Sequence, residues 1–586
     1  MVVSSTAGTR PIPDASQMPT SQHLPPLKSS VTYTYDGVKG WRRWRALRPG
    51  RGMWQDIRRR FPYYASDITD AWTYRTLASA IRMYFVNLLP AVAYTLEMYR
   101  RTGEFYGINE ALFSSALAAI VFSVLGTQPL TIVGVTGLIS LFNFTIYDIV
   151  EAYDAAIYPQ FMAWTGIWAA VFHWIVAVLN ACDYVRYVTD FSSDAFGLYV
   201  GIIYIIKGVE ELVNEFHVSG PASGYLACLV AILYFGNVYS LEKIGSSTIW
   251  NPTVRSILVD YAYLFPTMFW VGFIHFPGTL GSTHTMTVPI ATPFQPTQQR
   301  GWLIDFWNIE LRCVLISIPF GFLTMLLFYY DHNVSSIIAH AKQVPLKKPG
   351  GFHWDFFLLG CTTFVAGILG LPMPNGLVPQ APAHTDSLTV YETQLQEITL
   401  LSNGDGEERQ EIRRAVVVAT GVVEQRVSQF LMGLALIGTM TGPLLRVLQT
   451  MPTAIFAGVF FVVGWGSIES NGIVKKLLFL QREERFIQRD EPLLLVRRRK
   501  TVLFLALQLL IVVPCVAVSN TVAAVGFPVL IMLSIPLRII VMPHWFTLRE
   551  LRILDDFTAT GEVVLASLGG RPRLREERKP GDVAWE

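Results

Sequence analysis

Two apolar stretches of this chain are interrupted by glycine and proline in a matching way: LGTQPLTIVGVTG at residues 125–137 and LGLPMPNGLVPQ at residues 369–380. Backbone inside hydrocarbon has to satisfy its own hydrogen bonds, so non-helical chain persists there only where protein or a water-filled cavity surrounds it. Discontinuous helices in corresponding halves of a chain are typical of inverted repeats with a substrate site at their centre. The pair therefore predicts a transporter that binds its substrate midway through the membrane.

The composition is that of an integral membrane protein. Of the 586 residues, 52% are hydrophobic and 15% are charged, with a mean hydropathy of +0.39, whereas soluble domains carry about 25% charged residues. Several apolar runs fall short of the roughly 20 residues that a straight span needs, so hydropathy alone predicts about ten to fourteen crossings. The chain opens without a signal-peptide pattern, and its polar, proline-rich residues 1–57 are predicted to form a disordered tail.

Basic residues cluster beside the apolar runs and carry no nucleic-acid recognition motif. The positive-inside rule places these clusters and both termini in the cytoplasm, which requires an even number of crossings. We expect a multi-pass protein of the cell membrane, or alternatively of the vacuolar membrane, that contacts lipid and not nucleic acid. The spacing of the five cysteines predicts no metal site, disulfide or cofactor. The basic clusters span residues 42–60, 342–348, 409–426, 475–500 and 538–552.

Two polar stretches in the membrane part are predicted to be loops. Thr279 to Trp307 is rich in Thr, Pro and Gln, and it divides the chain into two membrane halves as a long external loop. Gln394 to Arg414 carries Asn-Gly and Asp-Gly turn signals, which indicate a cytoplasmic loop.

Asp331 follows directly on the apolar run Val314 to Tyr330, and the residues after it continue a helical pattern. An aspartate near the middle of a span costs about 2.5–3.5 kcal/mol, so we expect it to face a polar cavity or a partner. The alternative is an aspartate at the interfacial end of the helix. A buried carboxyl favours its neutral form, which makes Asp331 a candidate proton carrier.

Short helices are predicted to begin at Thr136-Gly137 and at Val378-Pro379-Gln380, where the two interruptions end. Helix N-termini present unpaired N–H groups and partial positive charge, so two of them aimed at one point form an anion site without a basic side chain. The alternative is a pair of glycine kinks that allow close helix packing.

Other charged residues favour structural interpretations. Lys207, Glu210 and Glu211 are spaced to pair with each other at an interfacial helix end. The arginines at 58–60 are predicted to anchor the first span to lipid headgroups. His384 follows the second interruption, and a structural role is favoured over hydrogen bonding to substrate.

From about Arg58 to Asp555 the chain resembles the bicarbonate and borate transporters, a family that includes the red-cell anion exchanger. Its likeness is greatest to the fungal and plant borate exporters, through DHNVSS at 331–336, NGLVPQAP at 375–382 and the short N-terminal tail. The bicarbonate exchangers have a glutamate at the position of Asp331. The chloride/bicarbonate exchangers have an arginine at the position of Gln380. The blocks that match the family, in order, are residues 58–70, 125–129, 134–137, 352–355, 424–428 and 535–538.

The resemblance implies an all-α membrane fold of about fourteen segments in two inverted repeats of seven. Each repeat contains one half-helix and contributes to a core and a gate domain, and the gates form a homodimer. The implied boundaries are a tail to residue 57, core 58–188, gate 189–309, core 310–448, gate 449–548 and a cytoplasmic tail 549–586.

The resemblance also implies the site, which lies between the two half-helices and crosses the membrane as the core slides against a fixed gate. The implied lining residues are Tyr84, Asn87, Val135, Thr136, Gly137, Asp331, Asn333, Val378, Pro379 and Gln380.

Gln380 decides the predicted substrate. Glutamine offers one acceptor and two donors without charge, which suits the hydroxyls of boric acid and tetrahydroxyborate. An ionised Asp331 would repel borate, so we expect it to be protonated, or bonded to a substrate hydroxyl, when substrate is bound. The sequence thus predicts a borate exporter, with proton coupling through Asp331 as a hypothesis. The alternatives are a bicarbonate or chloride exchanger, a membrane scaffold or receptor that kept the fold and lost transport, and a membrane-embedded enzyme. A receptor would not need the costly breaks, and no nucleophile and base pair supports an enzyme.

Overall fold

The structure is a computed structural model that describes most of the chain. It covers residues 48–558, except 246, 248, 279, 281, 282, 284, 341–345, 401–409 and 488–490, and also 32–34, 564, 568 and 571–573. Most of it is helical, and three two-stranded antiparallel sheets complete it.

The first half contains strands β1 (Thr32–Thr34) and β2 (Val133–Gly134) and ten helices. The helices are α1 (Arg51–Arg60), α2 (Tyr64–Thr69), α3 (Tyr74–Arg101), α4 (Ile108–Leu125), α5 (Gly137–Asp154), α6 (Tyr158–Val178), α7 (Asp190–Ser219), α8 (Pro221–Ile244), α9 (Pro252–Asp260) and α10 (Leu264–Ile274).

Within the described residues, the second half contains four strands and eleven helices. Its strands are β3 (Asn375–Gly376), β4 (Thr389–Leu400), β5 (Gln410–Val422) and β6 (Arg571–Arg573), and its helices are α11 (Leu311–Ala339), α12 (His353–Ile368), α13 (Gln380–Leu388), α14 (Val427–Thr439), α15 (Gly442–Gln449), α16 (Thr453–Glu469), α17 (Gly472–Gln481), α18 (Arg498–Ser519), α19 (Phe527–Pro536), α20 (Met542–Trp545) and α21 (Leu548–Leu554).

Both halves contain seven membrane segments, in agreement with the predicted fold. Seven described helical stretches are long and apolar enough to span a membrane, and ten if each sharply bent helix pair counts as one span. Separating α5 from α6 and adding α7, α12 and the half-helix α13 gives fourteen. In each half two helices precede an extended break of two residues and another helix follows it, α5 with 18 residues and α13 with 9.

The two breaks pair with each other. Strands β2 and β3 are antiparallel, with Val133 opposite Gly376 and Gly134 opposite Asn375. The Leu377 N–H extends this pairing by donating to the Ile132 carbonyl at 2.9 Å. Peptide groups that no helix satisfies therefore satisfy one another across the two halves.

The helices form two packing groups, and the one that contains the breaks is held by close contacts at glycine. In this half-helix group α6 packs against α11 and α12, and α14 against α3 and α4. A Cβ on Gly166 of α6 would lie 2.9 Å from the Cα of Gly367 on α12, so the helices meet at their backbones. In the other, flanking group, α16 packs on α7 and α8, and α18 on α7.

Three predictions about segments outside the membrane are corrected. Residues Arg51–Arg60 form α1, which packs on α6 and α12, so the end of the predicted disordered tail 1–57 is folded. The predicted loop Gln394 to Arg414 instead belongs largely to strands β4 and β5, which form a hairpin. In the predicted C-terminal tail, 549–586, Leu551 and Leu554 of α21 are buried in an apolar cluster. The rest of both tails lies mostly outside the described residues.

A buried cluster of charges joins α1 and α2 to the segments that precede α12 and α14. Asp67 is fully buried and accepts from Arg60 Nη2 at 2.6 Å, Arg426 Nη2 at 2.9 Å and Lys348 Nζ at 3.0 Å. Glu424 accepts from the Lys348 backbone N–H, and burial raises the pKa of this carboxyl. The prediction that all the arginines at 58–60 contact lipid is therefore wrong for Arg60.

Replacing Asp67 with asparagine is expected to destabilise the protein strongly. Asp67→Asn removes the carboxylate that three buried cations share, and breaking a buried ion pair from one side costs about 3–5 kcal/mol. We expect a clearly lower midpoint for loss of the monodisperse peak when the detergent-purified protein is heated.

Asp70→Asn is the matched control. Asp70 accepts from Lys348 Nζ at 2.9 Å, but its side chain is half exposed, and exposed ion pairs contribute at most about 1 kcal/mol. Equal, small losses in the two variants would show that the buried cluster does not stabilise the fold.

Candidate functional site

Helices α5 and α13 begin side by side because the strands that precede them are paired, but only α13, with 9 residues, is a short helix as predicted, since α5 has 18. Thr136 caps α5, and its hydroxyl accepts from the Ile139 N–H at 3.3 Å. Pro379 occupies the cap position of α13, whose first residue is Gln380. The unpaired N–H groups of both helices therefore lie in the same part of the membrane domain, as the predicted helix starts require.

Hydroxyl groups from neighbouring helices hold the breaks in place. The Val135 N–H donates to Ser115 Oγ of α4 at 3.2 Å, and Ser335 Oγ of α11 donates to the Leu377 carbonyl at 3.3 Å. Gly137 packs directly on Tyr94, because a Cβ at that position would lie 2.4 Å from the ring. These contacts fix the backbone near the two helix starts without any basic side chain.

Asp331 is buried and has a specific partner. Its Oδ2 accepts from Asn375 Nδ2 at 2.7 Å, and Asn375 Oδ1 in turn accepts from the Gly376 N–H at 2.7 Å. Gly376 lies against α11, where a Cβ would come within 2.7 Å of the Cα of His332. Asp331 therefore contacts the second break directly, and it is not an aspartate at an interfacial helix end.

Of the remaining predicted site residues on α3 and α11, Asn87 lies beside the first break, and Tyr84 and Asn333 make contacts elsewhere. Tyr84 forms a hydrogen bond with Thr439 of α14 at 2.7 Å. Asn87 is buried beside Gly134, and its Oδ1 has no hydrogen-bond partner among the described residues. Asn333 donates from Nδ2 to the Tyr329 carbonyl of its own helix at 2.6 Å.

A cavity of about 390 Å³ lies between the half-helix group and the flanking group. The start of α13 lines one wall with Val378, Pro379 and Gln380, whereas Asn87, Thr136 and Asp331 are buried and do not line it. The cavity lies towards the end of the molecule where α3 and α7 begin and α8 ends. Its other lining residues are Arg82, Val86, Ser193, Asp194, Gly197, Val200, Glu242, Tyr263, Ile338, Pro382, Ala383, Val462, Val463, Gly466, Ser467, Ser470 and Asn471.

Sequence reasoning missed Asn375 as the partner of Asp331 and Arg82, Asp194 and Glu242 as cavity residues. Asn375 lies inside the second interruption, so its position was a usable signal. Arg82 directly precedes the apolar part of the first span, where a cation is costly and therefore informative. Asp194 and Glu242 lie near helix ends and carry no comparable signal.

The structural interpretation of His384 is confirmed, whereas that of Lys207, Glu210 and Glu211 holds only in part, because these residues lie inside α7 and not at its end. His384 contacts the Leu130 carbonyl at 2.9 Å and Ser428 Oγ at 2.9 Å, which uses both ring nitrogens. Lys207 pairs with Glu210 as expected, and it also pairs with Glu97 of α3. Glu211 pairs with Arg100 and not with Lys207.

The groups at the helix starts are suited to binding a small polar solute and not to covalent chemistry. Amides, hydroxyls and helix N–H groups surround the breaks, and a single carboxyl group lies behind them. No cluster of three or more His, Cys, Asp or Glu in the part of the chain that the structure describes could hold a metal ion.

Comparisons with known proteins agree with this architecture. The model described as the HCO3− transporter integral membrane domain matches residues 48–223 and 218–559. A Schizosaccharomyces pombe protein whose name describes it only as a transporter is 40% identical over 509 residues, covering 86% of this chain and 96% of its own. Boron transporter 1 of Saccharomyces cerevisiae is 39% identical over 519 residues, covering 87% of this chain and 86% of its own.

A solved structure shares the fold at low identity. The transmembrane domain of the cyanobacterial bicarbonate transporter BicA has a TM-score of 0.50 and 14% identity, covering 76% of this chain and 96% of that chain. With the family model matched over most of the sequence and the paired breaks at its centre, this chain belongs to the HCO3− transporter family of integral membrane proteins.

Proposed function

We propose that this protein exports borate or boric acid across the membrane. The observation that carries the proposal is the pairing of the two breaks, which brings two helix N-termini together and sets the uncharged Gln380 in a cavity. Helix N-termini attract anions without demanding a permanent charge. Glutamine adds one acceptor and two donors, which suit a solute whose hydroxyls both accept and donate.

The relatives support this substrate and also supply the alternative. A yeast relative at 39% identity is named as a boron transporter, whereas the family description names bicarbonate. A bicarbonate or chloride exchanger is therefore the second candidate. An uncharged residue at the start of α13 favours borate, because an arginine at position 380 would suit a permanently charged anion better.

The proposed movement is a sliding of the half-helix group, as the core, against the flanking group, as the gate. The cavity between the groups lies at one end of α3 and α7. At the other end the same two helices are joined by ion pairs: Lys207 Nζ lies 2.7 Å from Glu97 Oε1, and Arg100 pairs with Glu211. A site accessible from one side and closed at the other is what alternating access requires.

Asp331 is the proposed proton-coupling group. Its carboxyl bonds Asn375, which belongs to the break itself, so a change in its charge acts on the chain that leads to Gln380. A neutral Asp331 does not repel a borate anion, whereas an ionised one does. Substrate binding and protonation are therefore expected to favour each other, which is the condition for coupling.

We also propose an orientation in the membrane, a cellular location and an assembly state for this protein. On the positive-inside rule we expect the open end of the cavity and both termini to face the cytoplasm, which corresponds to an inward-facing conformation. The cell membrane is the proposed location. Exposed apolar residues on α8 and α10, among them Leu229, Ile232, Met268 and Phe269, suit contact with lipid or with a second copy in a homodimer.

Expression of this protein in boron-stressed cells is expected to lower their boron content. The measurement is total cell boron by mass spectrometry, with cells that lack the protein as reference. Gln380→Arg adds a charge beside the helix starts and is expected to reduce boron export at least tenfold. Unchanged boron content with the wild-type protein, together with chloride-dependent bicarbonate flux, would favour the alternative.

Asp331→Asn is expected to remove most of the pH dependence of boron export. Asparagine preserves an acceptor for Asn375 and is neutral at every pH. The wild-type rate is expected to fall as pH rises and Asp331 ionises, whereas the variant rate changes little. Asp148→Asn, which removes a carboxylate outside the cavity lining, is the control and keeps the wild-type profile. Full export by Asp331→Asn with an unchanged pH profile would rule out Asp331 as the coupling group.

Lys207→Gln is expected to favour the conformation in which the cavity is closed. It removes an ion pair that joins the two groups, and a loss of about 1 kcal/mol corresponds to about a fivefold shift in the equilibrium. The measurement uses Ser470→Cys, a cavity position, with the five native cysteines replaced. An impermeant thiol reagent applied to inside-out vesicles is expected to label it more slowly when Lys207 is absent.

Arg101→Gln is the control for this experiment. Arg101 pairs with Asp148 of α5 at 2.6 Å, and both helices belong to the half-helix group. That pair is not expected to change during sliding, so labelling of Cys at position 470 remains at the wild-type rate. Equal effects of the two substitutions would contradict the assignment of the outer ion pairs.

A further inference from the structure

Arg82 brings a positive charge into the same cavity as Gln380. It lies on α3 one turn before Val86, and both side chains line the cavity together with the start of α13. Only 8% of Arg82 is exposed, and its Nε has no hydrogen-bond partner among the described residues. An incompletely satisfied buried guanidinium is costly, so a group that completes its hydrogen bonding is stabilising.

The ion pair between Arg82 and its nearest carboxylate is weak enough for an oxyanion to replace it. Arg82 Nη1 lies 3.8 Å from Asp386 Oδ2, and half of the Asp386 side chain is exposed. At Asp67, by contrast, the arginine contacts measure 2.6 and 2.9 Å. A long, solvated ion pair is weak, so an oxyanion that enters the cavity can compete with Asp386 for the guanidinium.

Gln380 provides the complementary group. Its Oε1 is buried and accepts no hydrogen bond from the described residues. The cavity walls thus combine a guanidinium whose Nε lacks an acceptor with an amide oxygen that lacks a donor. A ligand that satisfies both carries an oxygen acceptor and an O–H donor, which excludes halide and describes a small hydroxylated oxyanion or its conjugate acid.

We propose that Arg82 is a substrate-binding residue that selects hydroxylated oxyanions. This inference rests on the proposed export of borate. It means that the positively charged side chain of the substrate site comes from α3 and not from α13. Arg82 lies closer to the start of α3 than Asn87, which faces the first break. Arg82 therefore meets the substrate between the open end of the cavity and the two helix starts.

Glu242 and Asp194 set a limit on the charge of the substrate. Both carboxylates line the same cavity, although Asp194 Oδ2 lies 3.4 Å from Lys476 Nζ and is partly neutralised by it. These groups would repel a multiply charged anion more strongly than a monovalent one, and they would not repel a neutral species. Borate and boric acid meet this condition.

The test is the kinetics of boric acid uptake into inside-out vesicles that contain the full-length protein. Arg82→Gln is expected to raise KM about tenfold while kcat stays within about twofold, and Arg82→Lys is expected to restore KM to within about threefold of the wild-type value. Asp386→Asn preserves an acceptor for Tyr391 and removes the competing charge, so it is expected to lower KM two- to threefold. Arg75→Gln, two turns earlier on α3 and outside the cavity lining, is expected to leave KM unchanged.

The outcomes separate this inference from the proposed function. Absence of boron uptake by the wild-type protein overturns both. Wild-type uptake with an unchanged KM in Arg82→Gln overturns the role of Arg82 and leaves borate export in place. If Arg82→Gln does not fold, Asp386→Asn decides: a lower KM supports the proposal, and an unchanged or higher KM overturns it. A purely structural role for Arg82 does not predict opposite shifts from the two substitutions.

Discussion

The structure depends on one constraint, the hydrogen bonding of peptide groups that no helix satisfies inside the membrane domain. Two residues from each half solve it by pairing Val133 with Gly376 and Gly134 with Asn375. The pairing requires the two halves to be inverted and adjacent, because antiparallel strands lie side by side and run in opposite directions. It also forces the following helices to begin at the same place, so the binding site is a consequence of satisfying the backbone.

The electrostatics of the site follow from the same arrangement. Two helix starts supply partial positive charge at fixed positions, and they cannot be neutralised by a side-chain rotation. The full charges are placed differently: Arg82 and Asp386 lie towards the open end of the cavity, whereas Asp331 lies behind the second break. Fixed dipoles next to the breaks and side-chain charges around them suit a substrate that changes its protonation state.

Much of the fold and the positions of the helix starts could be predicted from sequence, because glycine and proline in an apolar run have few physical explanations. Contacts between residues that are distant in sequence could not be predicted. Asp67 is an ordinary interfacial acid until Arg426 and Lys348 reach it from the other half. The β4–β5 hairpin was not predicted because turn signals do not specify whether the flanking residues pair. The sequence shows that Arg82 is charged, but it does not identify the group that Arg82 contacts.

The Asp67 cluster changes what basic residues near the membrane mean in this protein. Arg60, Lys348 and Arg426 belong to the clusters that indicate cytoplasmic loops, yet in the folded protein they are buried and matched by Asp67, Asp70 and Glu424. Their charge is available to orient the chain only during insertion, before these partners meet. The same three cations therefore first orient the chain during insertion and afterwards stabilise the fold. An exchange of lysine for glutamate at position 348 would disturb both the topology and the fold.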